Sequence, residues 1–192
     1  MFPSVILTLT TFKNMVERVS RYQYYKSLGA CETILSFTKT EGKTYGTDME
    51  KITIEWFRLL PRLNTQHDGL FPDHKTEVTK CGHWKIEIKS SRYWGGKKQY
   101  KFQHIEPGHD FDILLTVLLR EDRIEYRIMR KNVILPYLEK QGKQGFFLND
   151  KDVERIGTII ETHEDIYDYL THINVKLRFV DEKIKCDIIS PK

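Results

Sequence analysis

The sequence predicts an α/β or α+β protein in which helices precede and follow a central mixed β-sheet. Three observations carry this prediction: helical spacing of apolar residues near the N-terminus, segments in which apolar and charged residues alternate, and a near-continuous apolar run at residues 112–119. A chain of 192 residues, 40% of them hydrophobic, can bury one substantial core, so we expect a single domain over residues 1–192.

Composition narrows the class of protein. A net charge of +4 permits contact with a polyanion without requiring it. The three cysteines, Cys31, Cys81 and Cys186, lie far apart and argue against a disulfide framework or a zinc knuckle. No stretch approaches the ~20 apolar residues that span a membrane, and the N-terminus lacks the basic region of a signal peptide. We therefore expect a cytoplasmic protein without a membrane partner.

Three helices are predicted. Residues 11–29 show helical spacing and end at Gly29, a residue suited to a helix C-terminus. A second helix is expected to begin at Thr47, because Thr47 and Glu50 have the spacing of a capping box. A third is expected to begin at Asn149 or Asp150 and to continue to about residue 172.

The strands follow from alternation and from turn residues. Residues 73–78 and 83–90 are predicted to form a hairpin closed by residues 79–82, with Val78 opposite His83. The apolar run at residues 112–119 predicts a central buried strand. The remaining predicted strands are its hairpin partner, residues 123–130, which turns at residues 120–122, and a last hairpin of residues 175–180 and 184–189.

The stretch from Trp84 to Lys89 carries the chemistry. Apolar and charged residues alternate, so Glu87 and Lys89 share one face of a strand. The predicted hairpin brings Asp73 close to Glu87. Two carboxylates and a lysine suit metal-assisted phosphodiester hydrolysis, with Mg²⁺ between the acids and Lys89 beside the attacking water. The alternative is a solvent-facing strand with ordinary surface ion pairs.

At these residues the chain resembles a known family. Pro72-Asp73 followed by Glu87-Ile88-Lys89 resembles the PD-(D/E)xK nuclease signature. The continuation is similar to type II restriction endonucleases of that superfamily, and it comprises Ser90–Trp94, Tyr100–Glu106 and Asp110–Leu115. The resemblance covers about residues 46–135, the expected catalytic core.

The resemblance implies a restriction-endonuclease-like fold with a central mixed sheet flanked by helices, a Mg²⁺-dependent site, and double-stranded DNA as substrate. Asp73 and Glu87 would then bind the metal, and Lys89 would serve the attacking water. Asp68 is an alternative first acid, although it needs a longer hairpin in another register. Glu50 is a further candidate that would hydrogen-bond a metal-bound water, unless it serves the capping box.

A basic segment with interleaved aromatic residues follows the predicted catalytic strand. Arginine and lysine side chains there can neutralise phosphates or contact guanine edges. The alternative is a solvated loop with ordinary surface charge. The candidate DNA-binding residues are Arg92, Tyr93, Trp94, Lys97, Lys98, Lys101, Gln103 and His104.

Together these features predict a Mg²⁺-dependent type II restriction endonuclease. Cutting both strands at a palindromic site favours a two-fold homodimer. Two alternatives stay open: a repair or junction-resolving nuclease of the same fold, and a non-catalytic DNA-binding domain. The intact acid and Glu-x-Lys set argues against the non-catalytic alternative.

Overall fold

A six-stranded mixed sheet forms the centre of the protein. The computed structural model describes residues 20–72, 82–94, 99–142 and 145–172. The strands are β1 Leu60–Pro61, β2 Gly69–Pro72, β3 His83–Ser91, β4 Lys101–Ile105, β5 Ile113–Leu119, β6 Ile124–Arg130, β7 Glu139–Lys140, β8 Phe146–Asn149 and β9 Thr158–Ile160. The helices are α1 at residues 20–27, α2 Glu32–Lys39, α3 Gly42–Trp56, α4 Lys131–Ile134, α5 Asp150–Ile156 and α6 at residues 163–172, with a 3₁₀ turn at Leu135–Tyr137.

The strand order of the large sheet is β1-β2-β3-β5-β6-β9, and β4, β8 and β7 form a second, three-stranded sheet. β3 and β5 are parallel, and the other neighbours in the large sheet are antiparallel. The connection from β3 to β5 carries β4, which therefore crosses to the second sheet. The predicted mixed sheet flanked by helices is confirmed at this level.

β5 is the most deeply buried strand, because both of its faces are covered. All seven of its residues are buried. Ile113, Leu115, Val117 and Leu119 pack into a core that also contains residues of α1, α2, α3 and α6. Leu114 and Leu118 pack into a second core against β4, β8, α4 and α5. Burial on both faces explains the near-continuous apolar run in the sequence.

Other local predictions are confirmed. α1 ends just before Gly29, which has a φ of 81°. β5 and β6 form the predicted hairpin. Asn149 caps α5, because its side-chain oxygen accepts a hydrogen bond from the Asp152 N–H at 2.9 Å. Residues 11–19 of the first predicted helix and the predicted hairpin at 175–189 lie outside the described residues.

The prediction of one long helix up to residue 172 is wrong. α5 ends at Ile156, and β9 pairs with β6 before α6 begins. Gly157 marks the break, because a Cβ atom there would lie 2.6 Å from the Val153 carbonyl oxygen. The three residues of β9 that follow, Thr-Ile-Ile, are β-branched and favour a strand.

The predicted capping box at Thr47 is also wrong. α3 begins at Gly42, and its N-cap, Glu41, makes no side-chain capping hydrogen bond. Tyr45, Met49 and Thr53 are buried at intervals of four residues, so the stripe that packs into the core extends upstream of Thr47. Glu50 consequently lies in the middle of the helix.

The predicted hairpin register is wrong as well. Pro72, not Val78, lies opposite His83, and Gly69 lies opposite Ile86. The physical reason is the core: Leu70 and Phe71 are buried, whereas the segment predicted to pair offers only Val78 as an apolar residue. Residues 73–78, including Asp73, lie outside the described residues.

No helix within the four described ranges is long and apolar enough to cross a membrane. The longest helix within those ranges, α3, has 15 residues.

The burial of β5 predicts where stability is concentrated. Replacing Leu115, which is 0% exposed, with Ala should lower the free energy of unfolding by about 2–5 kcal/mol, since a cavity remains in the core. Urea denaturation would measure the change. Ile159→Ala, at a residue 50% exposed on the edge strand β9, is the matched control and should cost roughly 1 kcal/mol or less. Equal losses at both positions would contradict this account of the core.

Candidate active site

Among the described residues, no strand pairs with one edge of β3 in its second half, and we call this the open edge. β2 pairs with β3 only from His83 to Ile86, and Asp68 stands where that pairing stops. The Asp68 N–H donates to the Ile86 carbonyl oxygen at 2.9 Å, and Asp68 Oδ2 accepts from the Ile88 N–H at 2.7 Å. Continuing the observed register places Asp68 opposite Glu87. Two main-chain hydrogen bonds therefore hold Asp68 at the start of the open edge.

Glu87 and Lys89 form a close ion pair on one face of β3. Lys89 Nζ lies 2.5 Å from Glu87 Oε1. Glu87 is only 5% exposed, and the Lys89 side chain is 21% exposed. The carboxylate is thus largely withdrawn from water, while the ammonium group keeps limited access to solvent.

Three carboxyl groups of the site, Glu50, Asp68 and Glu87, are coupled electrostatically through Asp68, and we call them the acid cluster. Burial raises the pKa of Glu87; Lys89 opposes this effect, and the charge of Asp68 reinforces it. Burial also raises the pKa of Glu50, with a further contribution from Asp68. The charge of Asp68 therefore disfavours the ionisation of both glutamates, an effect that a bound cation would relieve.

A cleft of about 560 Å³ opens beside the acid cluster. One wall is the N-terminal half of α3, the other is β4, and the second half of β3 lies between them. Glu50, Asp68 and Lys89 line the cleft. Gly42 and Gly46 precede Glu50 at intervals of four, so these two positions on the face of α3 carry no side chain and leave open space beside Glu50.

The donor set suits Mg²⁺ but not a fully protein-bound metal. Within the described ranges, no three His, Cys, Asp or Glu side chains form a group that could hold a metal ion. The coupling in the acid cluster is therefore electrostatic rather than shared chelation. Mg²⁺ binds through one or two carboxylates and keeps several waters or phosphate oxygens. Asp68 and Glu87 fit that requirement.

β4 supplies polar groups through an irregularity. Its pairing with β8 shifts register between Phe102 and Ile105, and His104 has a φ of 59°. Such a bulge redirects side chains. Gln103 and His104 line the cleft as a result, together with Lys101, whose Nζ lies over the Phe147 ring.

Two candidate DNA-binding residues point into the protein. Arg92 is 9% exposed, donates to the main-chain oxygens of Phe37 and Thr40, and lies over the Tyr45 ring. Tyr93 stacks on Tyr24 with ring centroids 3.6 Å apart. These contacts attach β3 to the helices. A role for either residue in DNA binding stays a prediction.

Of the remaining predicted site residues, one is described by the structure and three are not. Trp94 forms an isolated bridge with Gln99 close to the cleft. Asp73, Lys97 and Lys98 lie outside the described residues. The sequence reasoning missed the glycine-lined wall of α3 and Arg21, whose Nε donates to the Tyr93 carbonyl oxygen at 3.0 Å. The Gly42-Gly46-Glu50 spacing was the available signal for the wall; Arg21 had none.

No known protein-family model matches the chain, and no curated protein sequence matches it.

The raised pKa of Glu87 predicts that the difference in stability between the wild-type protein and the Glu87→Gln variant depends on pH. Native Glu87 holds its proton at pH values where the unfolded chain has lost it, so its contribution to the free energy of unfolding falls as pH rises through that window. In EDTA at pH 8, Glu87→Gln should raise the Tm by about 2–4 °C, corresponding to about 1 kcal/mol. The gain should shrink steadily as pH falls to about 4, where Glu87 is mostly protonated in the unfolded chain as well.

Thermal melts between pH 4 and pH 8 would test this prediction, with Glu55→Gln on the exposed face of α3 as the control. Destabilisation by Glu87→Gln at pH 8 would show that the ion pair with Lys89 outweighs the burial of the carboxylate.

Proposed function

We propose that this protein is a Mg²⁺-dependent endonuclease that hydrolyses phosphodiester bonds of double-stranded DNA. The observation that supports this most is the pairing of a buried Glu87 with Lys89 at an open sheet edge, with Asp68 fixed opposite. A carboxylate that is buried beside other acids costs stability, so a functional cation site is a physical reason for its presence.

Each side chain has a distinct part in this proposal. Asp68 and Glu87 hold the cation, and Lys89 orients the attacking water and offsets negative charge that develops on the phosphate. Glu50 lines the cleft and accepts a hydrogen bond from water there, and its raised pKa makes it a better proton acceptor than an ordinary glutamate. Magnesium, when bound, would polarise the phosphate and lower the pKa of its water.

For the first acid we now favour Asp68 over Asp73. The register between β2 and β3 puts Asp68 opposite Glu87 when it is continued by one residue, whereas the predicted register that favoured Asp73 is wrong, since Pro72 and not Val78 lies opposite His83. Asp68 is also fixed by the Ile88 N–H. A metal-binding carboxylate needs such preorganisation, since its orientation sets the geometry of the site.

The finer assignment is a type II restriction endonuclease that acts as a homodimer on a specific sequence. It rests on the resemblance of residues 46–135. The same site would serve a repair or junction-resolving nuclease, and discrete rather than diffuse cleavage products separate the two. A purely DNA-binding domain is less favoured, because Glu50 and Asp68 line the cleft and Glu87 lies beside Lys89 at its wall, and these carboxylates repel phosphates unless a cation intervenes.

The central test is cleavage. Incubated with several plasmid and bacteriophage DNAs, the protein should give discrete fragments with Mg²⁺ and none with EDTA. Lys89→Ala and Glu87→Gln should each lower the rate by about 100-fold or more, since each removes a group that acts in the transition state. Glu55→Gln is the control and should cut normally. A diffuse Mg²⁺-dependent digest would remove the restriction assignment; binding without cleavage of any of these DNAs would contradict the nuclease proposal.

A second pair of variants separates the two candidate acids. Asp68→Asn preserves the acceptor for the Ile88 N–H but removes the charge, so it should lower cleavage by about 100-fold and weaken Mg²⁺ binding. Asp73→Asn should leave both within about twofold. Cleavage rates at increasing Mg²⁺ concentrations would measure the difference, and the reverse ranking would return the role to Asp73.

A further inference from the structure

A second pocket adjoins the cleft at the C-terminal end of β3, around Ser90 and Ser91. It has a volume of about 280 Å³. Ser90, Lys101 and Gln103 line both spaces, so the pocket and the cleft share a wall. Three positively charged residues line the pocket, Arg21, Arg92 and Lys101, and none of its described lining residues is acidic. We call it the basic pocket.

The basic pocket is built around a buried guanidinium group. Arg92 is 9% exposed and donates hydrogen bonds to the main-chain carbonyl oxygens of Phe37 and Thr40, which orient the guanidinium. The Tyr45 ring lies below the guanidinium group, 4.4 Å from its central carbon, and also helps to orient it. Arg92 therefore contributes a fixed positive potential to the pocket.

The pocket is also joined firmly to the strand that carries the acid cluster. Ser91 Oγ and the main chain of Lys101 hydrogen-bond to each other at 2.8 and 3.0 Å, and Tyr45 Oη donates to the Ser91 carbonyl oxygen at 3.1 Å. β3, β4 and α3 thus meet at this point. The separation between the basic pocket and the acid cluster is set by rigid elements rather than by a loop.

We propose that the basic pocket binds a phosphate of a polynucleotide backbone a few nucleotides away from the one that is cleaved. This proposal rests on the proposed nuclease function. Arg21 and Lys101 would contact the phosphate, and Arg92 is a positioning residue that supplies potential from behind. Gly42, at the start of α3, also lines the pocket, so the positive end of the helix dipole adds to the same field.

The spacing along β3 suits this assignment. From Lys89 to Arg92 the chain advances three residues, about 10 Å in an extended strand. Phosphates on one DNA strand follow each other every ~3.4 Å along the helix axis, so a backbone held at the acid cluster carries another phosphate to the basic pocket within a few nucleotides. A cation site followed by an anion site would place the backbone along the second half of β3.

Pyrophosphate is a suitable probe, because it carries the ligand chemistry without a base sequence. The full chain carrying Glu87→Gln, in EDTA and at constant ionic strength, would be titrated by calorimetry and by tryptophan fluorescence. Trp94 lines the pocket, so a fluorescence change is expected that Trp94→Phe abolishes while binding persists in calorimetry. Arg21→Gln and Lys101→Gln should each weaken binding about tenfold. Lys151→Gln on α5 is the charge-matched control and should bind normally.

DNA binding provides the second measurement. In the same Glu87→Gln background, each of Arg21→Gln and Lys101→Gln should reduce the slope of log affinity for duplex DNA against log salt by about 1. Circular dichroism and Tm would establish that the variants fold. Pyrophosphate binding that is absent, or that neither variant weakens, would overturn the proposal. So would an unchanged salt slope in both variants.

The design separates this proposal from the nuclease proposal. Wild-type protein that cleaves DNA while the two variants bind pyrophosphate normally would overturn the basic pocket alone. Wild-type protein that cleaves no DNA, but whose binding of pyrophosphate and DNA depends on Arg21 and Lys101, would support the pocket and contradict the nuclease.

Discussion

The parallel pairing of β3 with β5 determines where every charged group of the candidate site lies. Glu87 lies beside Leu114 and Lys89 beside Thr116 in this register. Because β5 is buried on both faces, a slip of one residue would drive Glu87 and Lys89 into the apolar core against the helices. The ion pair is therefore held on the face of the second sheet by the core, not by its own attraction.

The same pairing leaves the site at a boundary between three elements. β2 protects only the first half of β3, so the second half meets α3 on one side and β4 on the other. A complete sheet would have no cleft here, and a shorter β3 would not reach it. The exposed main chain at this edge is satisfied in part by Asp68, whose carboxylate receives the Ile88 N–H. The group that ends the strand pairing is thus also the group that we propose binds the cation.

The sequence predicted this arrangement unevenly, for identifiable reasons. Alternation in β3 and the apolar run in β5 report burial directly, and both strands were located correctly. The predicted hairpin register is wrong because it follows turn geometry, whereas the burial of Leu70 and Phe71 determines the observed register. The capping pattern of Thr47 and Glu50 predicts the wrong start for α3, because the long-range packing of Tyr45 and Met49 determines where the helix begins. Glu87 and Lys89 needed only local alternation, whereas the basic pocket needs Arg21 to meet β3, which no local pattern encodes.

The acid cluster and the basic pocket adjoin successive parts of β3. This separation of negative from positive charge has a physical consequence for a polyanionic ligand. The acid cluster repels phosphate in the absence of a cation, while the basic pocket attracts it. Without Mg²⁺ the DNA backbone would thus be favoured at Arg21 and Lys101 and disfavoured at Glu87. Binding of the proposed cation would remove the repulsion and would make the whole cleft attractive to the DNA backbone. The two sites are then thermodynamically linked through the ligand that spans them, so Mg²⁺ should tighten DNA binding by the same factor by which DNA tightens Mg²⁺ binding. This reciprocity requires no movement of the fold, because both sites are built on β3.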